Sequence, residues 1–207
     1  MALARAGQGR HDDGAMEILV AYASRHGATR GIAERIADVL RAEGLEAIAL
    51  EARSVKRPAA YDAFVVGSAA YMFRWLGDAT SFVRRNRAVL AGKPVWLFSS
   101  GPLGTSPIDE QGRDVRSVSM PREIPDLMAT LGAREHKVFF GAYHAGSPIG
   151  LAERFMSLMP AAKNALPEGD FRDWPEIEEW AREIASALRP EPAGAGTSPA
   201  GAPDSTA

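Results

Sequence analysis

The feature that most limits how this chain can fold is an alternation. Short, unbroken apolar runs take turns with segments whose apolar residues recur every three or four positions. Glu17-Ile-Leu-Val-Ala-Tyr-Ala23 is apolar after its first residue, as a strand covered on both faces must be. Residues 29–43 carry Ile32, Ile36, Val39 and Leu40 at helical spacing, and Gly44 stops that helix. Residues 45–50 read as a second strand, and 62–67 (with Phe64, Val65 and Val66) as a third. A helix over 78–90 turns Phe82, Val83, Val89 and Leu90 inward and Arg84, Arg85 and Arg87 mostly outward. Gly92-Lys-Pro94 leads into the strand Val95-Trp-Leu-Phe98. A helix over 121–131 closes at Gly132, and 137–143 is a fifth strand. Ile177, Trp180, Ala181, Ile184 and Leu188 mark a last amphipathic helix. Strands alternating with helices pair in parallel through right-handed crossovers, so the predicted fold is α/β, a doubly wound parallel sheet with helices on both faces.

Length and composition narrow the rest. The 207 residues suit one well-buried domain. Residues 1–15 lack periodicity, and 190–207 are almost entirely Pro, Ala, Gly, Ser and Thr with little to bury. Both ends are expected to be disordered tails around an ordered domain over 16–189. The absence of cysteine excludes disulfides, thiolate metal sites, iron–sulfur clusters and cysteine nucleophiles. His136 and His144 flank the fifth strand without metal-ligand spacing, so no metal site is expected. A net charge of -2 offers nucleic acid no overall attraction. No apolar run approaches the roughly 20 residues of a membrane span, and no secretory signal opens the chain; a soluble cytoplasmic protein is expected. Two segments exceed a minimal five-stranded design, 101–120 and 147–174, and both are expected near the working end of the sheet.

In such a sheet, ligands bind beyond the carboxyl ends of the strands at the switch point. There the first strand runs into Ser24-Arg-His-Gly-Ala-Thr29 and directly into a helix. Gly27 allows a tight turn, the hydroxyls of Ser24 and Thr29 can donate, and open N–H groups at the helix start point the same way. Arg25 or His26 can add a charge-assisted bond. A dinucleotide fingerprint needs more glycines in this turn, and a P-loop needs Gly-Lys-Ser/Thr. A receiver domain needs acidic residues where Ala23-Ser24 and Gly67-Ser68 stand. A serine hydrolase elbow, Gly-x-Ser-x-Gly, is absent. The simple alternative is a capped helix; hydroxyl, glycine and hydroxyl together favour an anion.

Tyr22-Ala-Ser-Arg-His-Gly-Ala-Thr29 resembles the phosphate loop of the flavodoxin superfamily, hydroxyl-x-Thr-Gly-x-Thr, with His26 in place of the middle Thr. The resemblance implies a five-stranded parallel sheet in the order 2-1-3-4-5 and non-covalently bound FMN. Ser24, Gly27, Ala28 and Thr29 carry over as phosphate contacts, with Arg25 and His26 beside them. It places the flavin ring between two loops. The first is Gly67-Ser-Ala-Ala-Tyr-Met-Phe-Arg-Trp75, contributing Ser68, Ala69, Ala70, Tyr71, Phe73 and Trp75. The second is Ser99-Ser-Gly-Pro-Leu-Gly104, contributing Ser99, Ser100, Gly101, Pro102, Leu103 and Gly104. Small residues allow close backbone approach, and Tyr71, Phe73 and Trp75 offer aromatic faces. Tyr71, Arg74 and His144 are the candidate catalytic side chains.

Glu153-Arg-Phe-Met156, Asp170-Phe-Arg-Asp-Trp174, the last helix, the long loop after the fourth strand and Trp75 are similar to the menaquinone-dependent protoporphyrinogen dehydrogenase branch of that superfamily. That likeness implies a redox enzyme with menaquinone and a porphyrinogen among its small-molecule partners. Phe155, Met156, Leu158 and Met159 then make an apolar cluster suited to peripheral membrane contact. Electron-shuttle flavodoxins are typically strongly acidic and often carry Gly in the first flavin loop. Here the charge is nearly neutral, Ser68-Ala69-Ala70-Tyr71 has no Gly, and Arg74, Arg84, Arg85 and Arg87 are expected near the flavin edge. Turning such residues to positive φ costs more than turning Gly. The expectation is a two-electron enzyme, against a carrier that docks on partner enzymes or a nicotinamide-dependent quinone reductase.

Overall fold

The computed structural model describes residues 16–143 and 168–189. The predicted tails, His144 and the apolar cluster around Phe155 lie outside the described residues. The chain begins with β1 (Glu17–Ala23), α1 (Ala28–Ala42) and β2 (Glu46–Glu51). It continues with β3 (Ala63–Tyr71), a two-residue β4 (Arg74–Trp75), α2 (Gly77–Leu90) and β5 (Val95–Ser100). Then follow α3 (Val115–Val118), α4 (Ile124–Leu131) and β6 (Glu135–Phe139). A small pair, β7 (Ala142–Tyr143) and β8 (Gly169–Asp170), precedes α5 (Trp174–Leu188).

The parallel strands lie in the order β2-β1-β3-β5-β6. Because β4 only folds back antiparallel on the end of β3, this is the predicted 2-1-3-4-5 sheet. The apolar runs are explained by alternation across it. Ile18, Val20 and Tyr22 of β1 join Val65, Trp96 and Phe98 under α1 and α5, with Ile32, Ile36, Trp180 and Ile184. Leu19 and Ala21 turn the other way with Phe64, Val66 and Leu97, onto Phe82, Val83 and Leu90 of α2 and Ile124 and Leu131 of α4. Each central strand is therefore buried twice, once per face.

Several predicted boundaries shift. The helix expected from 121 starts at Ile124, with Pro at its first turn. The fifth strand ends at Phe139, because Ala142 and Tyr143 leave the main sheet to pair with Gly169 and Asp170. β3 runs on to Tyr71, beyond the predicted end at 67. The chain winds one way from β1 to β2 and the other way from β3, so the loops after β1 and β3 diverge at a switch point.

Candidate functional site

The register puts the ends of β1, β3 and β5 level, with Ala23 beside Ser68 and Ser68 beside Ser99. The turn after β1 is built around Gly27, whose φ of 87° lies where an L side chain is strained. Gly27 donates its N–H to Ser24 Oγ at 3.1 Å, which leaves the hydroxyl proton to point elsewhere. No side chain caps α1, and the first turn is closed by the Gly31 N–H bonding to the Gly27 carbonyl at 2.9 Å. The N–H groups ahead of Gly31 have no partner inside the helix and face out of its end with the positive end of the helix dipole. Thr29 is 1% exposed, and His26 and Ala28 are half-buried around the same turn. A glycine turn, an uncapped helix start and two hydroxyl residues fit a phosphate monoester.

The loop after β3, expected to border a flavin, is a hairpin. Ala70 pairs with Trp75 and Tyr71 with Arg74, leaving Met72 and Phe73 as a two-residue turn with φ of 49° and 59°. Positive φ at both central residues is the type I′ geometry, which ordinarily calls for Asn-Gly. The expected constraint at residues 68–71 therefore falls two residues later, because β3 stays extended through Tyr71. Met72 is 80% and Phe73 49% exposed. The Phe73 carbonyl accepts from Arg122 N–H at 3.0 Å, so the segment just ahead of α4 steadies the tip.

Of the three aromatic side chains predicted for stacking, Trp75 is placed differently. It is 5% exposed, packs in the core under α2 and donates its indole N–H to Ser99 Oγ at 2.7 Å. Its ring faces are spent on packing, so it supports the loop from below. Tyr71 is half-buried with the Arg25 guanidinium 4.8 Å over its ring, which brings the turn after β1 and the hairpin after β3 together. Ser68 is fully buried: its hydroxyl donates to the Ala69 carbonyl at 2.9 Å and accepts from Leu76 N–H at 3.0 Å. Ala69 is buried and Ala70 half-buried beside it. The buried serines thus shape the loops, and open polar contacts at these loops come from backbone.

The loop after β5 leaves the strand through buried Ser99 and Ser100. Gly101 lies so near the first loop that a β-carbon there would come 3.2 Å from that of Ala70. Its N–H donates to the Phe139 carbonyl at 3.3 Å, and the Pro102 carbonyl accepts from Gly141 N–H at 2.8 Å. Leu103 and Gly104 follow, half-buried, with Gly104 at a φ of 111°. The remainder of the long loop is organised by Asp114, whose side chain caps α3, and by Arg116, which reaches Glu176 on α5 at 2.7 Å. That ion pair ties the long segment 101–120 to the last helix.

Arg74 is exposed on the hairpin beside Tyr71, while His144 lies outside the described residues. Arg84, Arg85 and Arg87 lie along α2, away from the loops after β3 and β5. α2 starts at the site and runs away from it, so these exposed residues lie roughly 10–15 Å down the helix.

Sequence reasoning missed the side chains that hold the loops. His136 Nε2 lies 2.8 Å from Ser99 Oγ, completing a line from Trp75 through Ser99 to β6. Burial pushes the His136 imidazole down to about 4, so the ring is neutral near pH 7 and Nε2 can accept the serine proton. Glu123 accepts the Trp75 backbone N–H at 2.5 Å. Arg172 reaches the carbonyl of Ala28 at 3.3 Å. None has a sequence signal, since each depends on which strands and loops become neighbours. Burial also pushes the Tyr22 phenol up at the end of β1.

A family model for the flavodoxin domain matches residues 19–156. The chain belongs to the flavodoxin-domain family. Solved flavodoxins share its fold. One from the domain Archaea is 19% identical over 83% of this chain and 98% of its own, with a TM-score of 0.55. A cysteine-to-serine mutant of flavodoxin from Pseudomonas aeruginosa is 22% identical over 84% and 99%, with a TM-score of 0.53. Flavodoxin 1 from Bacillus cereus is 16% identical over 84% and 99%, also at 0.53. No curated protein matches the sequence. Among the described residues, no helix is long and apolar enough to cross a membrane.

Proposed function

We propose that this flavodoxin-domain protein binds FMN and is a two-electron oxidoreductase that delivers reducing equivalents to a quinone, in the manner of the protoporphyrinogen dehydrogenase branch it resembles. The observation that carries the FMN reading is the α1 start: a glycine at positive φ and an uncapped helix end, level with two close-set loops. FMN supplies the electron-accepting ring, and the chain's residues do the rest. Ser24, Thr29 and the backbone at Gly27 and Ala28 hold the phosphate. Tyr71 and the backbone of 69–71 and 101–104 border the ring and limit water there. Arg74 stands where it can face an anionic substrate.

The two-electron reading is supported by the hairpin and by the charge. Met72 and Phe73 hold positive φ and the hairpin has no glycine, the residue that most cheaply allows a peptide to flip with redox state. The net charge of -2 offers little steering toward a basic protein partner. A second reading, an electron carrier, is favoured by the exposed Met72 and Phe73, which form an apolar tip suited to protein docking. The deciding experiment has two steps. The absorption spectrum and the mass of the cofactor released from purified protein test for FMN; a colourless protein that does not take up added FMN refutes the reading. Turnover of a menaquinone analogue with a porphyrinogen or another small donor, without a protein partner, then separates enzyme from carrier.

A further inference from the structure

We propose that Arg172 is a positioning residue for the cofactor phosphate, acting through the first turn of α1 and sharing its space with Gly31. The inference rests on the FMN reading above. Arg172 lies between β8 and α5, far in sequence from the phosphate loop. Its Nε and Nη2 donate to the two oxygens of Asp170 at 2.8 and 2.6 Å, a parallel fork. Its guanidinium lies 4.4 Å over the Trp174 ring. That ring is also met by Arg35 at 5.3 Å, which pairs with Glu178 at 3.1 Å. The remaining amino group, Nη1, donates to the Ala28 carbonyl at 3.3 Å, and the side chain is only 16% exposed.

Gly31 makes room for this arrangement. A β-carbon there would lie 2.5 Å from Arg172 Nη1, close enough that Nη1 would have to move away. Gly31 lies inside α1 and not at positive φ, where glycine is a poorer helix former than alanine. Its place in the helix is explained by the guanidinium it admits.

The contacts continue to the other end of the site. Phe171 N–H donates to the Gly141 carbonyl at 3.0 Å, and Gly141 N–H donates to the Pro102 carbonyl at 2.8 Å. One line of bonds and adjacent residues thus runs from Ala28, under the phosphate, through Arg172 and the β7–β8 pair to the second flavin loop. Asp170 offsets the guanidinium charge, so Arg172 acts by geometry: it keeps an otherwise uncapped first turn aimed at the phosphate.

The test compares the affinities of FMN and riboflavin, which differ only in the phosphate, for the wild-type chain, R172M, R172K and G31A. R172M is expected to bind FMN about 10-fold more weakly, the scale of one lost charge-assisted hydrogen bond, with riboflavin changed less than about 2-fold. R172K keeps the charge but not the fork and is expected to fall with R172M. G31A, which improves helix propensity, is expected to lower the FMN-to-riboflavin ratio in the same direction by displacing Nη1. If R172M does not fold, G31A decides. Equal losses for the two flavins, an unchanged ratio in G31A, or wild-type behaviour in R172K would overturn the proposal. A wild-type chain that binds neither flavin would instead overturn the FMN reading beneath it.

Discussion

Gly67 to Ala is the most demanding test of how the sheet supports the loops. Gly67 sits in β3 opposite Phe98 of β5, at the head of the segment 67–75 that forms the hairpin loop. A β-carbon at 67 would lie 2.0 Å from Cε1 and Cζ of Phe98 and 2.4 Å from Cδ1, where carbon atoms prefer about 3.5–4.0 Å. The ring would have to move by roughly 1.5 Å to restore that spacing. It is fully buried, with Phe139 at 6.2 Å and Trp180 at 6.3 Å between centroids, and those two rings are 5.5 Å from each other. With no open side to move into, the cost falls at the upper end of the overpacking range, about 3 kcal/mol. F98L removes the clashing far edge of the ring at its own cost of about 1–2 kcal/mol. The pair should therefore be non-additive: G67A/F98L is expected to lose about 2 kcal/mol, not the sum of about 5. Urea unfolding followed by tryptophan fluorescence and circular dichroism reads this as a midpoint drop of about 1 M or more for G67A, at slopes near 2–3 kcal/mol/M. A G67A protein within about 0.5 kcal/mol of wild type, or an additive cycle, would refute the packing argument.

Three further outcomes follow from the site. M72N/F73G gives the hairpin its preferred residues and relieves about 1 kcal/mol of left-handed strain at each position, less about 1 kcal/mol of partly buried Phe surface; a net gain of about 1 kcal/mol should raise the urea midpoint. G27A imposes about 1 kcal/mol of strain at φ 87° and should lower stability by that amount and weaken FMN several-fold by titration. His136, held to about 4 by burial, binds its proton more readily when unfolded, where its value is near 6.5. Stability is thus retained above about pH 6.5 and falls as pH drops toward about 4, by up to roughly 3 kcal/mol. Denaturant unfolding at stepped pH should show this loss, and H136Q should flatten it.

Much of the architecture can be read from the chain because its causes are local. The run from Ile18 to Ala23 is apolar at consecutive positions, which only a doubly covered strand requires, and Ile32, Ile36 and Leu40 follow a helical period. Gly27 and Thr29 after the first strand are legible for the same reason: a turn and a helix start need particular residues in sequence. Trp75 is not, because an indole in a loop looks the same whether its faces meet ligand or core. Gly67 reads as the end of a strand, yet its lack of a side chain serves Phe98, a residue 31 positions on. The stop of the fifth strand at Phe139 depends on β8, which arrives much later in the chain.

What the sequence by itself determined is therefore the alternation, the parallel sheet and the anion-ready turn, all set by periodicity, turn chemistry and backbone freedom over a few residues. Tertiary structure alone decided which side chains hold that turn and its partner loops. Arg172 meets Ala28, His136 meets Ser99 and Glu123 meets Trp75 only after strand order and helix docking bring them together. Their hydrogen bonds depend on distances in space, and no local pattern along the chain encodes those distances.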